Sequence, residues 1–140
     1  MITAPLYTVE ILRLAASLPE PVELDRVDGS AEVRSPTCGS VIRTKVMVGE
    51  DGEVAALSQQ VHACAFGQAS AALVASHAQG RDRADVEQGL AALTTWLAGA
   101  EQLPDWPGIA ALEPARARKS RHGGILLPFR ALIAAMSNPW

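Results

Sequence analysis

The chain has few cysteines and few aromatic residues, and it lacks any long uninterrupted hydrophobic run. Its 140 residues include 2 cysteines, so a small domain held together mainly by disulfides is excluded. No stretch approaches the roughly 18 to 20 consecutive apolar residues that a membrane-spanning helix requires. The first residues do not form the basic and then apolar pattern of a secretory signal peptide. We therefore expect a cytoplasmic protein without a membrane partner.

Charge and short motifs point neither to a nucleic-acid-binding protein nor to a common class of enzyme. With 12 Lys and Arg against 15 Asp and Glu, the formal net charge is -3, which argues against nucleic acid as a partner. Cys-x-x-Cys, His-Glu-x-x-His and Gly-x-Ser-x-Gly spacings are absent, as is a phosphate-binding glycine loop. Hydrophobic residues make up 49% of the chain, enough to form a core. We expect one folded domain over residues 1–140 that is not an enzyme.

The first half of the sequence predicts one helix followed by a sheet that is built on a hairpin. Apolar residues spaced by three and four predict a helix over 6–18, and a weaker pattern favours a short strand around 32–34. Alternating β-branched and basic residues predict a strand over 41–48. The Gly-Glu-Asp-Gly turn at 49–52 then returns the chain as a second strand over 53–63.

The second half of the sequence is predicted to be helical. Helical segments are expected over 65–80, over 82–99 with Asp82 as the N-cap, and over 109–112. A basic loop is predicted over 114–122. The last helix is expected to begin close to Gly124, because a proline such as Pro128 is tolerated in the first turn of a helix. The predicted fold class is α+β, with a small antiparallel β-sheet and helices packed on one face.

Two cysteines and one histidine are predicted to meet at one end of this sheet. Cys38 lies on a Pro/Gly loop before one hairpin strand, and Cys64 follows the other strand at the start of a helix. His122 lies at the entrance to the last helix. Two thiolates and an imidazole could form a soft metal site, with His62 as a candidate fourth ligand. The alternative is that both cysteines are small buried residues, since no short metal-binding spacing is present.

The order of these motifs resembles the family of iron–sulfur cluster assembly scaffolds that includes IscU, SufU and the N-terminal domain of NifU. Residues 35–40 (Ser-Pro-Thr-Cys-Gly-Ser) resemble the family's Asn-Pro-x-Cys-Gly-Asp segment. Residues 63–64 (Ala-Cys) resemble its Gly-Cys pair before a helix of small residues, and residues 121–126 (Arg-His-Gly-Gly-Ile-Leu) its His-Cys-x-x-Leu segment. The likeness covers nearly the whole chain and implies a SufU/IscU-like fold.

The resemblance also implies a ligand set, from which this chain departs at two positions. The implied retained ligands are Cys38, Cys64 and His122. Ser40 stands where the family has an aspartate, and Gly123 stands where it has a third cysteine. A second alignment places Ser120 at the third cysteine position. Under either alignment the chain resembles a divergent member that lacks the third thiolate.

Three functions are compatible with this resemblance. The first is an iron–sulfur cluster assembly scaffold-like protein that binds iron, a cluster or zinc through the reduced Cys/Cys/His set. The second is a SufU-like, zinc-dependent sulfur acceptor for a cysteine desulfurase. The third is a degenerate, metal-free interaction domain that regulates cluster assembly and has no cofactor. The implied partners are a cysteine desulfurase and other cluster-assembly proteins, and a homodimer could complete the ligand set.

A cluster of basic residues is a candidate surface for binding an acidic partner, with a solvated surface loop as the alternative reading. The cluster consists of Arg116, Arg118, Lys119 and Arg121. By resemblance it occupies the place of the Leu-Pro-Pro-Val-Lys stretch through which IscU-type scaffolds meet their chaperone. Residues 112–116 (Leu-Glu-Pro-Ala-Arg) differ from that stretch, so we do not expect the same chaperone recognition.

Overall fold

A three-stranded antiparallel sheet forms one layer of the computed structural model, which describes residues 7–36 and 39–137. Its strands are ordered β1-β2-β3 and span Gly29–Arg34, Val41–Val48 and Val54–His62. The predicted hairpin of β2 and β3 is confirmed with nearly the predicted bounds. The weakly predicted first strand is longer than expected, because all of its residues pair with β2.

Side chains alternate between the two faces of the sheet, and helices cover one face. On β2, Ile42, Thr44 and Val46 are fully buried, whereas Arg43 and Lys45 are exposed on the opposite face. Helix α2 (Ala65–His77) packs against β3 on the buried side, and helix α4 (His122–Ser137) crosses β1 and β2. The predicted α+β fold class is therefore confirmed.

The other two α-helices begin at residues whose side chains cap them. Helix α1 (Val9–Ala16) follows Thr8, whose Oγ1 accepts the Ile11 N–H at 3.1 Å. Helix α3 (Arg83–Leu97) follows Asp82, which exchanges two hydrogen bonds with Asp85 in a capping box, as the sequence predicts for this N-cap. Within the ranges the structure describes, no helix is both long and apolar enough to cross a membrane.

The prediction of a basic loop over 114–122 is wrong. The chain instead forms 3-10 helices over Ile109–Ala117 and Lys119–Arg121, and α4 begins at the next residue. Ile109, Leu112 and Ala115, spaced by three, are at most 1% exposed. A 3-10 helix has three residues per turn, so this spacing places all three side chains on one buried face. Tertiary packing of that face outweighs the charged residues between its members.

The predicted start of α4 close to Gly124 is right to within two residues, but the prediction that Pro128 lies in its first turn is wrong. The helix starts at His122 and continues through Pro128 in its interior. An interior proline removes the N–H that would bond the carbonyl four residues earlier, at a cost of about 3 kcal/mol. Most of this helix is buried, and burial of its large apolar residues outweighs that cost. These residues are Ile125, Leu126, Leu127, Phe129 and Leu132.

Candidate functional site

One end of the sheet gathers the segments that carry the candidate ligands. Val41, the first residue of β2, lies opposite Arg34, the last residue of β1, and opposite His62, the last residue of β3. The connection from β1 to β2 and the exit from β3 to Cys64 therefore lie at the same end. Cys38 belongs to that connection but is outside the described residues, so its role as a ligand stays a prediction.

Cys64 is the N-cap residue of α2 and is only half-buried. Its backbone is extended (φ -68°, ψ 173°), its carbonyl accepts the Gln68 N–H at 2.9 Å, and its side chain makes no capping hydrogen bond. Gln68 also donates from Nε2 to the Ala63 carbonyl at 3.1 Å, which fixes this first turn. The first N–H groups of a helix have no partner within it, so the thiol lies beside backbone donors that the helix itself does not use.

The first turns of α2 and α4 are in direct contact. A Cβ on Gly67 would lie 3.3 Å from the Gly124 carbonyl oxygen and 2.7 Å from the Ala63 Cβ, closer than carbon atoms approach. One turn further, the buried Ser70 hydroxyl donates to the Ile125 carbonyl at 2.6 Å. A glycine at position 67 and a short hydroxyl side chain at position 70 therefore allow and fix the crossing of the two helices.

His122, the first residue of α4, is half-buried and is oriented by a backbone carbonyl. Its ring Nε2 lies 2.9 Å from the carbonyl oxygen of Ala115. Because a carbonyl oxygen only accepts hydrogen bonds, this contact places the ring hydrogen on Nε2 and leaves the lone pair on Nδ1. The contact between the first turns of α2 and α4 brings the helix starts at Cys64 and His122 to the same region. Nδ1 is thus the ring atom that could bind a metal ion there.

His62 is placed on the exposed outer face of the sheet. It lines a shallow depression of about 90 Å³ together with Glu32, Val41, Arg43 and Gln60. Arg43 donates to Glu32 at 2.7 Å, and this hydrogen bond holds the pKa of the Glu32 carboxyl below its usual value. His62 therefore lies beside an ion pair in a surface environment, whereas the Cys64 side chain packs against the main core.

The described residues do not by themselves form a metal site. In residues 7–36 and 39–137, no three His, Cys, Asp or Glu side chains are grouped as metal ligands. The ligand set predicted from the sequence includes Cys38, outside those ranges, and so remains a prediction. Ser40, at the aspartate position of the resemblance, is buried, and Gly123 is the second residue of α4. Neither supplies an anionic donor.

The four basic residues do not share one environment. The Arg116 side chain is 25% exposed, and it donates to the Trp96 carbonyl at 2.9 Å and to the Ala100 carbonyl at 2.7 Å. Its guanidinium carbon lies 4.8 Å from the centre of the Trp96 ring. Arg118 and Lys119 are exposed and Arg121 is half-buried. A partner-binding role remains a prediction for the exposed pair, while Arg116 is engaged within the protein.

Sequence reasoning overlooked the residues that hold the helices of the site together. Gly67 lies inside an alanine-rich helix, where glycine costs about 1 kcal/mol relative to alanine. That cost is a signal of close packing that the sequence already contained. The bonds from Ser70 to Ile125 and from Arg116 to Trp96 span 55 and 20 residues of chain, and no local pattern indicates them.

Comparisons with known proteins place the chain among structures of one kind. No family model matches the chain, and no curated protein matches its sequence. One similar structure is the crystal structure of a nitrogen-fixing NifU-like protein (N-terminal) from Brucella abortus, which has 28% sequence identity to this chain. The superposition covers 94% of this chain and 92% of that chain, with a TM-score of 0.84. A protein from the thermophile Fervidobacterium islandicum AW-1, assigned as an iron–sulfur cluster assembly scaffold for the SUF system, has the same fold. The two sequences are 16% identical, and the superposition covers 94% of this chain and 96% of that protein with a TM-score of 0.79. The resemblance found in the sequence is thus confirmed, and this chain has the fold of these NifU-like and SUF-system structures.

Proposed function

We propose that this chain is an iron–sulfur cluster assembly scaffold-like protein rather than an enzyme. In this proposal Cys38, Cys64 and His122 bind iron, a cluster or zinc as cargo, whereas His62, on the exposed outer face of the sheet, is not part of the ligand set. The observation that carries the proposal is the meeting of the two helix starts at Cys64 and His122, beside the sheet end at which β1 is connected to β2. The likeness to the two scaffold-type structures supports it.

The donor chemistry fits a soft or borderline metal ion. Two thiolates and one imidazole carry two negative charges, which suits zinc or ferrous iron, and both ions accept sulfur and nitrogen ligands. Three protein donors leave a fourth position for a sulfide, a water molecule or a donor from a partner or a second copy of the chain. Compared with a site of three thiolates and one aspartate, this set offers less negative charge, so we expect weaker retention of the cargo.

Metal analysis of protein purified without oxygen or chelators tests this proposal. We expect about one zinc or iron per chain in the wild type. The Cys38→Ala/Cys64→Ala double variant should lose that metal, because an imidazole alone does not retain it. His77→Gln is the matched control, since it removes a histidine at the far end of α2 and should leave the metal content unchanged. A wild type that stays metal-free after supplementation with zinc and with iron would contradict the proposal.

A second candidate function is a sulfur acceptor for a cysteine desulfurase. It is favoured by the Cys64 thiol, which is half-buried at the start of α2 and makes no capping bond there. We expect addition of the chain to a partner desulfurase to increase cysteine turnover several-fold, and Cys64→Ser to abolish that increase. The exposed Ser76→Ala on the same helix should stimulate like the wild type. Stimulation that survives in both Cys64→Ser and Cys38→Ser would instead indicate a regulatory interaction domain.

A further inference from the structure

Arg116 connects the end of α3 to the backbone segment that orients His122. Its Nε donates to the Trp96 carbonyl in the last turn of α3, which also accepts the Gly99 N–H, and its Nη2 donates to the Ala100 carbonyl just beyond the helix. The residue before it, Ala115, is fully buried and offers its carbonyl to the His122 ring at 2.9 Å.

We infer that Arg116 is a positioning residue for His122, acting through the carbonyl of Ala115. The two hydrogen bonds from Arg116 hold the 3-10 helix over Ile109–Ala117 against the end of α3, and this fixes the direction of the Ala115 carbonyl. That carbonyl holds the His122 ring hydrogen on Nε2 and leaves Nδ1 as the ring atom with a free lone pair. The ligand role of His122 rests on the proposed function, but the control of its ring hydrogen by Arg116 does not.

The shape of the guanidinium group explains why an arginine is needed at this position. It is planar, donates in two directions within one plane, and can stack on an aromatic ring at the same time. Here it does all three, binding two carbonyls while its carbon lies 4.8 Å from the centre of the Trp96 ring. A lysine ammonium is a point charge that cannot reproduce this planar arrangement. Arg116→Lys should therefore hold Ala115 less firmly than arginine does, although it keeps the charge.

Nitrogen-15 NMR of the histidine rings in the metal-free protein at pH 8 tests the inference directly. His122→Gln identifies the His122 signals among those of the three histidines in the chain. We expect the wild type to show only the form with hydrogen on Nε2, and Arg116→Ala to show a mixture of both forms. Arg118→Ala is the matched control, because its side chain is exposed while its backbone N–H still binds the Ala115 carbonyl. It should match the wild type.

Zinc affinity, measured by competition with a chromogenic chelator, provides a second readout. Loss of an orienting contact behind a metal-bound histidine lowers affinity by about 10- to 100-fold. We expect a decrease in that range for Arg116→Ala, a smaller one for Arg116→Lys, and none for Arg118→Ala.

The two measurements separate this inference from the proposed function. An unchanged His122 ring form in folded Arg116→Ala overturns the inference. If Arg116→Ala does not fold, the same comparison is made with Arg116→Lys, and an unaltered ring form there overturns it. A changed ring form in a protein whose wild type binds no zinc supports the positioning role and contradicts the metal-binding function.

Discussion

Replacing Gly67 with leucine is expected to lower the free energy of unfolding by about 3 kcal/mol, the upper end of the usual cost of overpacking. Even a single Cβ at this position would lie 2.7 Å from the Ala63 Cβ and 3.3 Å from the Gly124 carbonyl oxygen. The Ala63 contact forces the segment before α2 to shift, and the rest of a leucine side chain would push α2 away from the α4 backbone at Gly124. Urea unfolding followed by circular dichroism measures the loss.

The same change should disturb the candidate site, because it separates the helix starts at Cys64 and His122. We expect Gly67→Leu to bind zinc more weakly than the wild type at temperatures where both are folded. Ser76→Leu adds a leucine to the exposed side of the same helix and should change stability by less than about 0.5 kcal/mol. A Gly67→Leu variant as stable as Ser76→Leu would show that the two helices do not cross closely.

Phe129→Ala is expected to cost about 4 kcal/mol, the typical loss when a buried phenylalanine is truncated. Phe129 is fully buried on α4, and its ring packs edge-on against Trp106 with the ring centres 4.9 Å apart. The Trp106 indole N–H in turn donates to the Leu73 carbonyl of α2 at 3.1 Å. Truncation leaves a cavity where α4 meets this tryptophan, so thermal unfolding should occur at a clearly lower temperature.

Tryptophan fluorescence gives a second measurement of the Phe129→Ala change, since Trp106 loses its neighbouring ring. Leu103→Ala is a suitable control, because Leu103 is 48% exposed and its loss should cost less than about 0.5 kcal/mol. If Phe129→Ala and Leu103→Ala proved equally stable, the ring of Phe129 would not be packed in the core.

The parts of the fold that the sequence predicts well are those encoded by local patterns. The alternation along 41–48 and the glycine turn after it specify the hairpin. The start of α3 follows from Asp82 and Asp85, whose side chains form a capping box within one turn. In each case the physical cause acts over a few residues, so a single sequence contains the whole signal.

The errors concern positions where distant contacts outweigh local preference. Pro128 does destabilise a helix when it lies in the interior, but the free energy gained by burying α4 against the sheet and α2 is larger than that cost. Arg116 has the character of a solvent-exposed residue, yet its guanidinium group stacks on the Trp96 ring and donates to the Trp96 carbonyl, twenty positions earlier in the chain. The candidate ligands follow from the predicted hairpin and helix starts and from the family resemblance, and the structure adds the helix crossing that brings two of their segments together.

Residues 112–116 are folded against the rest of the protein, and this limits how a partner can bind the segment. Leu112 and Ala115 are fully buried, and Arg116 ties the segment to α3, so it is not available as an extended peptide. A partner that binds it in extended form must select molecules in which the segment has opened. If opening costs about 3 kcal/mol, roughly one molecule in 150 is competent, and the apparent affinity falls by the same factor. Recognition of this segment would thus be controlled by local unfolding rather than by its sequence alone.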